Sequence, residues 1–458
     1  MSLKSNVAKI LIFTLCYGIL QTGIYVLAIE ENESKLELTE HTSKKIVNKV
    51  NFEDIVQKAI EHSYDLQIAD YNVLISKQLI RNARSEYFPK LNLLAGTEYT
   101  KNFRDANEST VMSIGDAFIN PYTRYQSVLG ITVTYNLFDF GVKGERLKMA
   151  KGDVELKELE NRQKLQELKL TLLDAYTKIL LTDRQIAVNK AILNTEEKNL
   201  EYYERLYKAK EISKTELNDA KIKVSTTKNK INELMSIEQE SINWLSFYTG
   251  EKYDINSLQI SDIKNSDFDV FEYQDYTKSI IWKIHEKNIK QKELELHIVK
   301  KNNYPKLNLY GRYYLYGSER NNYGDSLNNI EPSNFSVGAS FNMPVFDGFK
   351  NSASIEKTSL ELKQMLIERD KAIAQLMTRL ANMRSNLTYI DKQICEHSAI
   401  LYELYDKEKS EARLLSKKII SPIEYNNSKI ELMTQDIEYA KNIITKSAIT
   451  KGIQILTE

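Results

Sequence analysis

The chain has 458 residues, and its 63 basic and 63 acidic side chains give a formal net charge of zero. Such a balance gives no reason to expect nucleic acid as a partner. The sequence contains 15 Gly, 6 Pro and 28 Tyr, and 28% of its residues are charged, a composition typical of long regular elements with few turns. No linker rich in Pro, Ser or Gly divides the chain, so we expect one extended architecture.

Residues 1–28 have the pattern of an export signal. A short basic start precedes an apolar run over residues 10–29, and an acidic stretch follows it. Cleavage after Ala28 would leave a mature chain that begins with a polar extension over residues 29–47. An uncleaved membrane anchor is the alternative, because the apolar run is about as long as a spanning helix requires.

One hexapeptide occurs twice with a single difference. Residues 88–93 read FPKLNL and residues 304–309 read YPKLNL, each time after a long charged stretch. Proline ends a helix and biases the residue before it toward extended geometry. Pro89 and Pro305 are therefore predicted to mark two switches from helix to strand in an internally duplicated chain.

Apolar residues recur at every seventh position of the charged stretches. Strict seven-residue spacing predicts long helices that wind around their neighbours. A second seam becomes polar at Thr182, Asn189 and Glu196, which favours a sheet of helices with one wet face. A soluble coiled-coil rod is the alternative. The two columns are Leu165, Leu172, Ile179, Ile186, Leu193, Leu200 and Tyr207, and Ile373, Leu380, Leu387, Ile394, Leu401, Glu408 and Leu415.

Each copy of the hexapeptide begins a pair of alternating segments joined by a polar loop. In the first pair, over residues 89–140, Leu129, Ile131 and Val133 alternate with more polar neighbours, and the second pair, over residues 305–348, repeats the pattern. Period-two alternation is typical of β-strands with one apolar face. At about a dozen residues, each strand slightly exceeds the roughly 9 to 11 that a tilted strand needs to cross a bilayer.

Two hairpins supply four strands, which are too few to span a membrane alone. Lipid offers no partner to the backbone groups of an open sheet edge, so spanning sheets are closed barrels. Known barrels begin at about eight strands. Strand counting therefore predicts an oligomer, either a dimer with eight strands or a trimer with twelve.

The sequence lacks the usual signs of an enzyme. It has no phosphate-binding glycine loop and no serine in a nucleophile-elbow context. The histidines are scattered, without metal-ligand spacing to a second His, to Cys or to a carboxylate cluster. We expect no catalysis, no cofactor and no bound metal. The five histidines are His41, His62, His285, His297 and His397.

The order of these features resembles the TolC family of outer-membrane efflux and secretion ducts. The resemblance rests on an export signal, a helix, the FPKLNL hairpin, LFDFG at residues 137–141 and a long helix pair. A second helix, the YPKLNL hairpin, VFDGF at residues 345–349 and a second helix pair repeat that order. The resemblance covers residues 50 to 450, nearly the whole mature chain.

The resemblance implies a fold that is mainly α with β. Three copies would place four strands each, twelve in total, in one outer-membrane β-barrel continuous with a long periplasmic α-helical barrel. The cell would be a Gram-negative bacterium. The remaining segments would be a periplasmic helix (48–88), a first long helix pair (141–248), an equatorial segment (249–272), a second periplasmic helix (273–304), a second long helix pair (349–450) and a C-terminal tail (451–458).

The family also implies where control and docking occur. Its helix pairs turn at a periplasmic tip that contacts an adaptor, and acidic residues on the returning helix narrow the tunnel. Ser213 and Ser421 resemble capping residues at the start of these helices. The matching aperture residues are Glu424, Asn427, Glu216 and Asp219, and the matching tip residues are Lys210, Glu211, Ile212, Ser213, Lys418, Ile419, Ile420 and Ser421. The aperture residues could equally be ordinary polar residues of a first helical turn, where carboxylates are favoured.

Two functions from different classes remain open. In the first, the protein is a passive exit duct for an inner-membrane pump of the RND, ABC or MFS type, linked through a periplasmic adaptor (membrane fusion) protein. Its partners would then be two further copies, the adaptor, the pump and outer-membrane lipid, with no nucleic acid. In the second, it is a non-transporting coiled-coil structural or adhesive protein of the envelope. Within the first reading, drug efflux and type I protein secretion are both possible.

Overall fold

The computed structural model describes most of the chain after residue 48. The expected export signal (1–28) and polar extension (29–47) lie outside the described residues, as does most of the loop in the first hairpin. The described residues are 49–101, 112–114, 117–119, 125–255, 258–264 and 275–457.

Eight α-helices occur in the described residues, and two pairs of them are long. The long helices are α3 and α7, each followed after a short turn by a helix about half its length. Their bounds are α1 Phe52–His62, α2 Tyr64–Ser85, α3 Val142–Lys208, α4 Lys214–Thr249, α5 Ile280–Lys300, α6 Tyr323–Asn328, α7 Lys350–Ser416 and α8 Pro422–Thr457. Short 3₁₀ turns cover Tyr276–Lys278 and Lys301–Asn303.

Eight strands accompany these helices, and four of them are long. The strands β2, β5, β7 and β8 form one antiparallel sheet in that order. The bounds are β1 Lys49–Val50, β2 Lys90–Tyr99, β3 Met112–Ile114, β4 Ala117–Ile119, β5 Tyr125–Phe138, β6 Gln259–Ile260, β7 Lys306–Glu319 and β8 Glu331–Asn342. The mainly α fold with antiparallel strands agrees with the sequence prediction.

The described residues divide into two compact units. One contains the four-stranded sheet and comprises Asn82–Gly144 and Lys301–Phe349. The other contains the long helices and comprises Lys45–Arg81, Glu145–Lys300 and Lys350–Glu458.

Seven-residue spacing does place apolar side chains inside the helical unit. Leu172, Ile179 and Ile186 of α3 are buried, and so are Leu387 and Leu401 of α7. Helices α3 and α7 each have 67 residues, or about 100 Å at 1.5 Å per residue. Their length and their buried columns agree with helices that pack along one another.

Two residues of the polar seam of α3, Thr182 and Asn189, are buried although its composition suggested a wet face, and the third, Glu196, is half-buried. Thr182 donates to the carbonyl oxygen of Lys178 at 2.8 Å, and Asn189 donates to that of Gln185 at 2.7 Å. Both side chains are almost fully buried. Each polar group is thus satisfied within its own helix, which removes most of the cost of burying it.

The core of the helical unit lies around Tyr176 of α3. Its ring meets Phe52 edge-on at 5.6 Å, and Leu172 and Leu245 beside it are fully buried. Its hydroxyl donates to the carbonyl oxygen of Ser261 at 2.6 Å. Burial raises the pKa of Tyr176 to about 12, so this phenol acts as a neutral donor that fixes the segment after α4.

Three observed details refine the expected segments. The stretch expected as one helix over residues 48–88 contains α1 and α2, which are separated at Ser63. Helix α8 continues through Thr457, so the expected tail after residue 450 is helical. The expected equatorial segment contributes β6, which pairs in parallel with β1, and a buried Ile263.

The register of the sheet aligns the apolar positions of all four strands. Leu93 lies opposite Ile131, Ile131 opposite Tyr313, and Tyr313 opposite Phe335. Side chains alternate between the two faces of a strand, so this row and its neighbours at every second residue share one face. The residues between them, which are mostly polar but include Leu94, Val128 and Tyr314, occupy the other face.

Candidate functional site

Both long helices end in the same tight turn. The Glu211 N–H donates to the carbonyl oxygen of Leu206 at 2.9 Å, and the Lys210 N–H donates to that of Tyr207 at 3.0 Å. This pair of bonds defines a Schellman motif. Lys210 has a φ of 61°, in the left-handed region that usually requires glycine. The turn after α7 has the same bonds, and there Lys418 has a φ of 59°.

The returning helices α4 and α8 begin with capping boxes. The Ser213 hydroxyl accepts from the Glu216 N–H at 3.2 Å, while the Glu216 carboxylate accepts from the Ser213 N–H at 2.7 Å. Ser421 and Glu424 make the same reciprocal pair at 3.2 and 2.9 Å. The predicted capping roles of Ser213 and Ser421 are therefore confirmed.

Capping has an electrostatic consequence for Glu216. The backbone N–H and hydroxyl of Ser213 stabilise its carboxylate and lower the pKa of Glu216 below the ordinary value. Both Glu216 and Glu424 are exposed, and each carboxylate is already engaged at the start of its own helix. The two carboxylates thus stabilise the first turns of α4 and α8, independently of any role in an aperture.

A cleft of about 750 Å³ lies between α3, α4 and α8. It brings together three of the four expected aperture residues, namely Glu216, Asp219 and Asn427, whereas Glu424 is not part of its lining. Of the α3 residues that complete the cleft, Glu196 stood out in the sequence as part of the polar seam, whereas Asn199 and Tyr203 did not. The full lining is Glu196, Asn199, Tyr203, Glu216, Asp219, Ala220, Ile222, Lys223, Asn427, Ile430 and Glu431.

Asparagines connect α3 to α8 at the floor of this cleft. The Asn426 amide donates to the Asn199 side-chain oxygen at 2.7 Å, and the Asn199 amide donates to Asn427 at 3.4 Å. Asn199 is buried, Asn426 is half-buried and Asn427 is exposed, so this partly buried bridge couples the two helices. Four carboxylates of the lining face a single lysine, which gives the cleft a negative potential.

The expected tip residues are mostly exposed. Lys210, Glu211, Ser213, Lys418 and Ile419 are open to solvent, and Ile212, Ile420 and Ser421 are half-buried. Ile419 is 65% exposed. The two turns therefore present apolar and basic groups together.

The four-stranded sheet has an apolar face that is largely uncovered. Val337 and Phe335 are each 73% exposed. Pro89 and Pro305 directly precede β2 and β7, so each strand begins one residue after a proline. Further exposed members of the same face are Leu91, Leu93, Ile131, Val133, Tyr313 and Phe341.

Part of the second hairpin's loop folds over one end of this sheet. The hydroxyls of Ser127 on β5 and Ser326 on α6 lie 2.7 Å apart, and both side chains are buried. Tyr323 of α6 meets Tyr125 edge-on at 4.8 Å. The end of the sheet that contains Tyr125 and Ser127 is thus covered by this loop, while the apolar side chains in the middle of the sheet stay exposed.

Metal ligation and helical membrane spans can be assessed for the part of the chain that the structure describes. There, no group of three or more His, Cys, Asp and Glu side chains is arranged to hold a metal ion. No helix within the same residues is both long and apolar enough to cross a membrane.

Comparison with known proteins identifies the class. A family model described as outer membrane efflux protein matches residues 55–251 and 286–395, more than half of the chain. No curated protein sequence matches the chain.

Several solved structures share the fold. A membrane protein from Pseudomonas aeruginosa is similar with a TM-score of 0.72 at 13% identity, covering 93% of this chain and 99% of its own. The CmeC outer membrane channel of Campylobacter jejuni has a TM-score of 0.70 at 13% identity, with 92% and 93% covered. The MtrE outer membrane channel of Neisseria gonorrhoeae, in its open state, has a TM-score of 0.69 at 12% identity, with 93% and 94% covered.

The long paired helices and the four-stranded antiparallel sheet are the fold that this chain shares with these channels. The chain belongs to the outer membrane efflux protein family. The TolC-family membership that the duplicated hairpins indicated is thereby confirmed.

Proposed function

We propose that this protein is the outer-membrane exit duct of a tripartite efflux or type I secretion system in a Gram-negative bacterium. Three copies close one barrel of twelve strands, and their long helices form a tunnel in the periplasm. The observation that carries the proposal is the four-stranded sheet, whose apolar positions align on one exposed face.

The edges of the sheet support oligomerisation. In the described residues, β2 pairs with β5 alone and β8 with β7 alone, which leaves one edge of each strand without a partner. Unpaired backbone groups are too costly in hydrocarbon for an open sheet to span a bilayer. The strands have 10 to 14 residues, enough to cross when tilted. Further copies of the chain are the simplest source of the missing strands.

The helical unit supports the remaining assignments. The exposed turns at Lys210 and Lys418 are the surface on which the periplasmic adaptor docks, and the inner-membrane pump supplies the energy. Asp219 and Asn427 line the acidic cleft and contribute to the periplasmic aperture together with Glu216 and Glu424. Substrates pass passively through the duct, which needs no cofactor.

The mass of the unheated complex, extracted from outer membranes with detergent, tests this proposal. We expect a mass near three chains, strand signal beside dominant helix in circular dichroism, and conductance in planar bilayers. A soluble monomer or a two-stranded rod would overturn the duct and favour a structural or adhesive envelope protein. The pump and the choice between drug efflux and protein secretion are then identified by co-purification with cross-linking at Lys418.

A further inference from the structure

The two hairpins of the sheet have the same register. Lys90 of FPKLNL lies opposite Thr134, and Lys306 of YPKLNL lies opposite Asn342. Thr134 and Asn342 each precede the phenylalanine of an FD pair by four residues. Lys90 and Lys306 are therefore equivalent, as are Thr134 and Asn342. Counting along the strands from these positions assigns each nearby residue its equivalent in the other repeat.

Strands β5 and β7 form the seam at which the two repeats meet within one chain. Thr132 lies opposite Arg312 there, in the row that begins with Asn92 of β2. At the end of the seam, Phe140 in the turn after β5 meets Tyr304 edge-on at 5.1 Å. Strand pairing and an aromatic contact thus join the first repeat to the second.

A turn with the same backbone follows β8 at the outer edge of the sheet. Gly348 and Phe349 have φ values of 67° and 68°, and the equivalent Phe140 and Gly141 have values of 56° and 83°. Both turns therefore contain two successive left-handed residues. The Phe349 ring meets that of Phe346 at 5.5 Å. The outer edge thus repeats the geometry that ends the inner seam.

The aromatic residues at the two outer edges are more exposed than those at the inner seam. Phe349 of the second turn is 74% exposed, whereas Phe140 of the first turn is 39% exposed. Phe88, which precedes β2, is 66% exposed, whereas its equivalent Tyr304 is 47% exposed. The outer edges therefore carry the elements of a second seam whose two halves do not meet within one chain.

We propose that β8 of one chain pairs with β2 of a neighbouring copy in the register that β5 and β7 have within a chain. Ser340, the equivalent of Thr132, then lies opposite Gly96 of the neighbouring copy, the equivalent of Arg312. The inference rests on the proposed function, because three such seams close the barrel of twelve strands.

This register also keeps the two faces of the sheet distinct. Phe341 lies opposite Ala95 of the neighbouring copy, and Met343 lies opposite its Leu93, so apolar residues meet on the apolar face. A shift by one residue would turn the apolar side chains of one strand to the other face of the sheet. Phe88 of the neighbouring copy packs beside Phe349, as Tyr304 packs beside Phe140 within the chain.

Disulfide cross-linking of the complex extracted from outer membranes tests the register. A Cβ at Gly96 would meet only Val128, at 3.6 Å, so this position accepts a side chain. Facing residues of antiparallel strands have Cα atoms about 4.5 to 5.5 Å apart, within the range of a disulfide. The exposed Cys395 is first replaced by serine. We expect Gly96→Cys/Ser340→Cys to form mostly covalent trimers on a non-reducing denaturing gel, and single chains after reduction.

Two control variants move one cysteine along β2 by two residues and keep it on the same face. In Leu94→Cys/Ser340→Cys and Glu98→Cys/Ser340→Cys, the Cα atoms are diagonal neighbours about 7 to 8 Å apart, so we expect single chains. The matched positive control is Thr132→Cys/Arg312→Cys, because these residues face each other within one chain. Its disulfide protects both thiols from alkylation without joining two chains.

Two results would overturn the proposed register but not the duct. One is a trimeric, conducting Gly96→Cys/Ser340→Cys channel that stays uncrosslinked where the positive control is oxidised. The other is cross-linking through Leu94 or Glu98 instead. If cysteine at Gly96 prevents assembly, Thr97→Cys/Ala339→Cys tests the same register on the apolar face. A wild-type protein that neither trimerises nor conducts would instead overturn the proposed function.

Discussion

A close contact with the neighbouring strand leaves room only for glycine at one position of the sheet. Gly130 of β5 lies directly opposite Tyr314 of β7, and a Cβ at Gly130 would lie 2.1 Å from the Tyr314 ring. Tyr314 is buried over this glycine together with Val128. The ring supplies the contacts that the glycine itself cannot make, an arrangement known from other sheets as aromatic rescue.

Gly130→Ala tests this contact. The added methyl group displaces Tyr314, so we expect the complex to lose about 1 to 3 kcal/mol of stability, as overpacked cores do. Gly311→Ala is the matched control, because a Cβ there meets nothing within 4 Å. The heating temperature at which the complex dissociates is measured for both. Equal behaviour of the two variants would contradict the contact.

Lys210 and Lys418 each occupy a left-handed position that usually requires glycine. A non-glycine residue in this conformation destabilises the folded chain by about 1 to 2 kcal/mol. Replacing it with glycine removes that strain but also increases the entropy of the unfolded chain, which costs about 0.4 to 1 kcal/mol of stability. Lys210→Gly and Lys418→Gly are therefore expected to be at least as stable as the wild type in urea unfolding. Lys198→Gly, inside α3, should lose about 1 kcal/mol. A comparable loss in the turn variants would refute the left-handed geometry.

Helix α4 carries a carboxyl group inside an apolar column. Leu217, Val224, Ile231 and Leu245 follow the seven-residue spacing, and Glu238 occupies the place between the last two. Its side chain is 8% exposed. Burial, and secondarily the charge of Asp183, raises the pKa of Glu238 to about 7, while Lys190 acts in the opposite direction.

The raised pKa makes the packing of α4 dependent on pH. Between about pH 4.5 and 7 the folded chain holds this proton more tightly than the unfolded chain. The free energy of unfolding therefore falls as pH rises through that window and stays low above it. Glu238→Gln should match the wild type near pH 5 and exceed it by about 1 to 3 kcal/mol at pH 8.

Urea unfolding at the two pH values measures this difference, with the exposed Glu240→Gln as control. A gain from Glu238→Gln that is equal at both pH values would mean that ionisation of Glu238 is not its cause.

For the whole molecule in a membrane, the two faces of β8 should differ in how well they tolerate a charged side chain. Val337 lies on the apolar face, and Ser340 lies three residues further on the polar face. In a barrel, Val337→Lys places a charge in lipid at a cost of roughly 2 to 4 kcal/mol near the midplane, whereas Ser340→Lys faces water. We expect the first variant to lose most of its heat-resistant complex from the outer membrane and the second to keep it.

Gel analysis of unheated membranes measures both variants. If Val337→Lys assembled as well as Ser340→Lys, the apolar face would not be in contact with lipid.

The periodicity of the sequence predicted the helices and strands better than the contacts between them. Alternation identified the strands, and seven-residue spacing identified the buried columns, because both patterns are local in sequence. The row that contains Asn92 and Arg312 depends on the register between distant strands, which no local period encodes. Asn199 was missed for the same reason, since its partners lie on α8. Glu238 had a local signal, because it interrupts an apolar column.

The uncovered edges of β2 and β8 also bear on how the protein is made. A single chain in the periplasm would present two templates for strand addition beside a bare apolar face, which is a hazard for aggregation. If three copies close the barrel as proposed, its completion requires an encounter of three chains, so its rate depends steeply on their concentration. At low expression, mature ducts should become scarce faster than the polypeptide itself, and cells would depend on periplasmic chaperones to protect the waiting chains.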